Sequence, residues 1–112
     1  MAMKSAVKIS SQAESDLWRN MCWWAEHHSV AEALDWESVI RQQVSQVGFA
    51  PESYGLSMEN NGFPFVIRDA PVGKGRRGSY RAVFTVQENS VIILRVVCAV
   101  EPRLSQNDIH FL

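Results

Sequence analysis

Apolar residues recur along this chain with two periods, and the change from one to the other divides it. Ala13, Leu17, Met21 and Trp24 recur at three- or four-residue spacing, the stripe of an amphipathic helix. Ser11, with Glu14 three residues on, has the form of a capping box that starts it. Ser29 with Glu32 repeats that signature. Ala33, Trp36, Ile40, Val44 and Val47 then repeat the stripe until Gly48 and Pro51 stop it. Two helices of about five turns each, with almost no loop between them, must fold back on one another as an antiparallel hairpin.

Around this hairpin the pattern is that of strands. Ala6 to Ser10 alternates and precedes the first helix directly. Glu52 to Pro64 is rich in Ser, Asn, Gly and Pro and reads as a loop. Phe65 to Val72 is one strand-like run. Ser79 to Val86 is a second, setting Tyr80, Ala82, Phe84 and Val86 against Arg81, Val83 and Thr85. Ser90 to Val100 is apolar on both faces, the texture of a central strand. Gln87 to Asn89 is a tight hairpin connection and Gly73 to Gly78 a looser one. The tail from Ser105 to Leu112 fits either a single helical turn or an extended segment.

The predicted order is β-α-α-β-β-β, an α+β fold with the helical hairpin packed on one face of a small, mainly antiparallel sheet and a short C-terminal tail. The 112 residues, 46% of them apolar, suit one domain spanning 1–112 with one core. Because helices are supplied for one side only, the other face of the sheet is expected to be left to water or to a partner.

Charge sharpens that expectation. The net charge is only -1, yet residues 1–60 carry four basic and eight acidic side chains, whereas residues 61–112 carry seven basic and four acidic ones. Arg68, Lys74, Arg76, Arg77 and Arg81 crowd one stretch against Asp69 alone, and Arg95 and Arg103 follow. Arginine within a strand points off the core, pairs with an acid such as Asp69 or Glu88, or meets a ligand. Taken together, the seven are read as a cationic platform for nucleic acid or an acidic protein segment. On that reading Arg81→Ala changes stability by less than about 0.5 kcal/mol while removing function.

Other motifs are weaker. Gly73-Lys74-Gly75-Arg76-Arg77-Gly78 matches GxGxxG, but strand texture rather than a helix follows it and no βαβ crossover exists, so no dinucleotide or other cofactor is expected. Cys22 and Cys98 sit in apolar runs and are read as buried thiols, although one disulfide between them fits as well. His27 and His28 lack HExxH spacing or a third ligand, so no metal is expected. His110 is chemically suited to acid–base work, and a tail residue of no function would look the same. No run reaches the roughly 20 apolar residues of a membrane span, and no signal core follows Lys4 or Lys8, so the cytoplasm is the expected compartment. All four tryptophans, Trp18, Trp23, Trp24 and Trp36, fall in the helical hairpin, too many for its inward stripe alone, which points to a partner or dimer surface there.

In sum the chain resembles the RelE/ParE superfamily of toxins from bacterial type II toxin–antitoxin modules, and the ParE branch more than the RelE branch. The likeness lies in Val7-Lys8-Ile9, the aromatic helix ending near Trp23-Trp24, the paired helix closing with Val47 to Pro51, Gly78-Ser79-Tyr80-Arg81-Ala82-Val83-Phe84, and Val91-Ile92-Ile93-Leu94-Arg95-Val96-Val97, and it runs from about Val7 to Asp108. The resemblance implies a monomeric or dimeric plasmid-stabilisation or stress toxin. Its antitoxin would wrap the hairpin and sheet, with Trp18, Trp23 and Trp36 as contacts. In the ParE branch it implies inhibition of DNA gyrase; in the RelE branch, cleavage of ribosome-bound mRNA; an orphan member would do neither. Arg81 matches the strand arginine of the RNase members, Arg103 stands where a further basic residue is expected, and His110 would be the proton-transfer group. Glu101-Pro102 and a tail without tyrosine depart from the RNase pattern.

Overall fold

The computed structural model describes residues 4–74, 79–99 and 104–109. The chain begins with strand β1 (Ala6–Ile9) and passes at once into helix α1 (Ser11–His27) and helix α2 (Val30–Gln46). Strands β2 (Arg68–Val72), β3 (Tyr80–Gln87) and β4 (Ser90–Cys98) follow, and a short 3₁₀ turn, Gln106–Asp108, lies in the tail. The sheet order is β1-β4-β3-β2. β4 pairs antiparallel with β3, and β3 with β2, while β1 joins β4 in parallel from Ala6↔Ser90 to Ile9↔Ile93. This is the α+β arrangement read from the hydrophobic pattern, with a mixed sheet.

The local chemistry explains the element ends. Ser10, not Ser11, caps α1: its Oγ accepts the Ala13 N–H at 3.1 Å and donates to the Leu94 carbonyl at 3.2 Å. Ser29 caps α2 as expected, accepting the Glu32 N–H at 3.0 Å. Beyond Gln46 the chain tightens into a 3₁₀ turn, Val47–Phe49. There Gly48 lies so close to the entry of β1 that a Cβ on it would stand 2.5 Å from the Ser5 carbonyl oxygen. The β3–β4 connection turns on Glu88 and Asn89 with φ of 50° and 66°. These are two successive left-handed residues, the type I′ geometry that suits the strand twist.

Side-chain alternation distributes the sheet residues between two cores. Tyr80, Ala82 and Phe84 of β3 and Val91, Ile93 and Val96 of β4 pack against Leu17 of α1 and Trp36, Ile40 and Val44 of α2. The register shifts between Val83 and Phe84, which face Arg95 and Ile93, so Leu94 is the extra residue of a β-bulge. Leu94 joins Val83 and Ile67 in a second buried cluster, on the side of the sheet away from the helices.

That second cluster corrects the expectation of an open face. Phe63, Phe65, Leu104 and Ile109 pack onto it, so the segment between α2 and β2 and the tail together cover it. β2 is correspondingly shorter than the Phe65–Val72 run predicted from sequence. Pairing with β3 stops at Arg68, the Thr85 hydroxyl donates to the Val66 carbonyl at 2.7 Å, and Ile67 is fully buried in the second cluster. Cys22 is exposed rather than buried, one position round the helix from the inward stripe, and it is not joined to Cys98.

Candidate functional site

The residues expected to form a cationic platform divide into those the fold has consumed and those it places elsewhere. Arg81 points to the second face by strand alternation, but it is only 5% exposed. Its Nη1 donates to Glu59 Oε1 at 2.7 Å and to Asp69 Oδ2 at 3.1 Å, and its Nη2 donates to Glu59 Oε2. Glu59 also accepts from the Ser57 hydroxyl at 2.6 Å and the Leu104 N–H at 2.8 Å. One carboxylate therefore ties the covering segment, the central sheet and the tail together. Burial would raise the Glu59 carboxyl; the hydrogen bonds from Arg81, Leu104 and Ser57 outweigh it and hold the group at about 2. The same carboxylate raises Arg81 above its ordinary value against the opposing effect of burial.

Arg95 is likewise occupied. Its Nε donates to Asp16 Oδ2 at 2.7 Å and its Nη1 to the Asp108 carbonyl at 2.7 Å. Asp16, 1% exposed, also accepts the Val96 N–H at 2.9 Å. Since β1 pairs with β4 only as far as Ile93, Asp16 satisfies an edge of β4 that would otherwise be a buried orphan donor. Arg68 donates to the Tyr54 carbonyl at 2.6 Å, and Lys74 pairs with Asp35 of α2. Arg76, Arg77, Arg103 and His110 lie outside the described residues. Among the described residues, then, the cations are not gathered on an open face. Arg81 and Arg95 are structural, each matched to a carboxylate and sealed beneath or beside the covering segments.

Asp69 was legible as a partner for a strand arginine. Glu59 and Asp16 were not, because they stand 22 and 79 residues from Arg81 and Arg95. Asp108, the remaining acid near this region, is held below its usual range by the Ser105 N–H and hydroxyl. Its Oδ2 accepts from that N–H at 2.8 Å and from the hydroxyl at 3.1 Å, which closes the turn in the tail.

The tryptophans divide differently. Trp36 is 3% exposed and belongs to the main core, because it shares the inward stripe with Ala33 and Ile40; it is not a surface contact. Trp18 and Trp23 are exposed. Five helical residues separate them by about 140° around the axis, so they occupy opposite flanks of α1. Trp23 stacks on His27, ring centroids 4.4 Å apart.

Trp18 has the more telling neighbourhood. Glu14 of α1 pairs with Arg41 of α2 at 2.7 Å, which fixes the register of the antiparallel hairpin. Trp18 stands one turn along α1 from Glu14. Leu34 and Val30 stand two and three turns back along α2 from Arg41. These two stripes run side by side toward the turn, and along them Trp18, Cys22, Leu34 and Val30 are all exposed. A row of large apolar side chains on the outer face of an otherwise polar hairpin has the composition of an interaction surface.

No protein-family model matches the sequence, and no curated protein does. Its fold, however, is shared with a solved chain from a structure described as the chromosomal ParDE TA system from P. aeruginosa. The two superpose with a TM-score of 0.69 at 20% identity, over 85% of this chain and 96% of the other.

Proposed function

We propose that this chain is the toxin of a type II toxin–antitoxin module of the ParE kind, blocking DNA gyrase or another essential bacterial target by binding it and held inactive in the cytoplasm by a cognate antitoxin. The observation that carries this reading is the fold shared with a chain of the ParDE system over nearly the whole of that chain. The site chemistry supports binding over RNA cleavage. Attack by a 2′-hydroxyl on phosphate needs a proton acceptor, a proton donor and cations free to meet the developing charge. Here Arg81 and Arg95 are committed to Glu59, Asp69 and Asp16. Inhibition by binding needs a complementary surface and no bond chemistry, and the hairpin offers Trp18, Leu34 and Val30 as anchors for the antitoxin.

Inducing the gene in bacteria tests the reading. Filamentation with DNA damage, together with inhibition of gyrase supercoiling by the purified chain, is the expected result. Immediate arrest of translation with mRNA cleavage would replace it with the endoribonuclease reading, and normal growth would remove toxicity altogether.

A further inference from the structure

β2 pairs with β3 only as far as Arg68, opposite Phe84, and β3 runs on without it to Gln87. Gln87 and Ser90 flank the two-residue turn and face one another across the hairpin. Such a flanking pair exchanges both hydrogen bonds, and the next pair, Val86 and Val91, exchanges none. The Val86 N–H and C=O therefore point away from β4, past the end of β2, and offer one unfilled strand position. Beside them lies a cavity of about 310 Å³ walled by Phe65, Val66, Phe84 and Val86, with Arg68 and Glu52 as its charged members.

Arg68 sets this cavity apart. Arg19, Arg41, Arg81 and Arg95 are each in ion-pair contact with a carboxylate. Among the described residues, half-buried Arg68 is the arginine that has none. Its Nη1 donates to the Tyr54 carbonyl at 2.6 Å, which fixes the group in place. Its other nitrogens are open to an incoming atom: the buried side-chain nitrogens and oxygens left without a partner are Trp36 Nε1, Asp69 Oδ1 and Arg81 Nε. An anchored guanidinium with accessible N–H groups, set in an apolar wall, suits a carboxylate on an apolar body. Glu52 narrows the choice, because a phosphate or a dicarboxylate would bring a second negative charge against it. The outward N–H and C=O of Val86 match one peptide unit. A single carboxylate, an apolar side chain and a peptide unit behind them describe the carboxyl end of a protein chain.

We propose that this cavity takes the C-terminus of a partner chain whose last residue is aliphatic. The terminal carboxylate meets Arg68, the last side chain fills the space against Phe65, Val66 and Val86, and the preceding peptide unit pairs with Val86 along the strand edge. The volume, at the small end of ligand sites, suits one such side chain and its carboxylate rather than a longer segment. The site lies apart from the outer face of the helical hairpin and does not depend on the toxin reading.

The test is a titration of the full chain, labelled with ¹⁵N, using acetyl-Ser-Thr-Val-Leu with a free carboxylate, the same peptide amidated, and free leucine. The free acid should bind saturably, move the Val86 amide resonance and slow its exchange with solvent. The amidated peptide should bind at least about tenfold more weakly, the worth of a charge-assisted hydrogen bond, and free leucine, which lacks the peptide unit, should also bind more weakly. Arg68→Gln should weaken binding of the free acid by the same factor and leave the amide unchanged, a split that general loss of structure does not give. Val66→Asp, at a position 52% exposed where folding is not at risk, sets a carboxylate in the wall and should abolish binding of the free acid. Glu52→Gln should tighten it about two- to threefold. Equal affinity for the acid and the amide, or for the peptide and free leucine, would overturn the proposal. So would a Val86 amide unmoved by millimolar peptide, or undiminished binding by both Arg68→Gln and Val66→Asp.

Discussion

At Arg81 a single side chain decides between two accounts of the same strand. Exposed, it would be a cation offered to a ligand, and its truncation would cost less than about 0.5 kcal/mol. Buried against Glu59 and Asp69, its removal leaves carboxylates stranded away from water, and Arg81→Ala should destabilise the protein by about 3 to 5 kcal/mol in urea titration. Glu59 makes a sharper prediction because its protonation can be varied without mutation. Its carboxyl is at about 2 in the folded protein against an ordinary 4.5. Folding therefore favours the ionised form. The stability this contributes, about 3 kcal/mol, is fully present above pH 4.5 and is lost as pH falls toward 2. Urea midpoints measured from pH 6 down to pH 2 should fall along this window. In Glu59→Gln, which starts lower, the midpoints should fall by less over the same range.

Among the elements, what was legible in the sequence is what periodicity encodes. Both helices, the hairpin between them and the three antiparallel strands follow from spacing, because each buries a regular stripe that the chain repeats many times. Events that depend on one residue were not legible. The spacing put the cap of α1 on Ser11, but Ser10 takes it, and its hydroxyl also reaches Leu94 on the sheet. The bulge at Leu94 leaves no mark in an apolar run that is buried on both faces. The hairpin turn was placed correctly from sequence, yet Glu88 is ill suited to the first of the two left-handed conformations it demands, and Asn89 tolerates the second, where Gly is preferred. Replacing the pair by Asn-Gly, the favoured residues for this turn, should raise stability by about 1 kcal/mol, read as a rise in melting temperature with no change in circular dichroism. The stripes themselves are tested by Leu17→Ala and Ile40→Ala, each at a fully buried position, with expected losses of about 2 to 5 kcal/mol.

For the molecule as a whole, the unread feature was the covering of the second sheet face. The segment from Glu52 to Pro64 has no period, and only a few side chains, Phe63, Phe65 and Ile67 beside the Glu59 carboxylate, anchor it and its continuation. Local composition cannot distinguish such a cover from a solvated loop, because its partners are Arg81 and Leu104, far along the chain. The consequence is a change in which surface can meet a partner. With the strand arginines enclosed, the outward face of the helical hairpin remains as the exposed apolar feature best placed for recognition, and Trp18 and Leu34 are its central members. They touch water rather than core, so Trp18→Ser with Leu34→Ser should shift folding stability by no more than about 1 kcal/mol. If the antitoxin seats there, the double variant should bind it at least about tenfold more weakly, since exposed aromatic anchors dominate interfaces of this kind. Co-expression separates the two effects: the variant should stay folded and toxic while escaping neutralisation. A variant still neutralised at unchanged affinity in calorimetry would place the antitoxin on another face, with the free edge of β1 the next surface to examine.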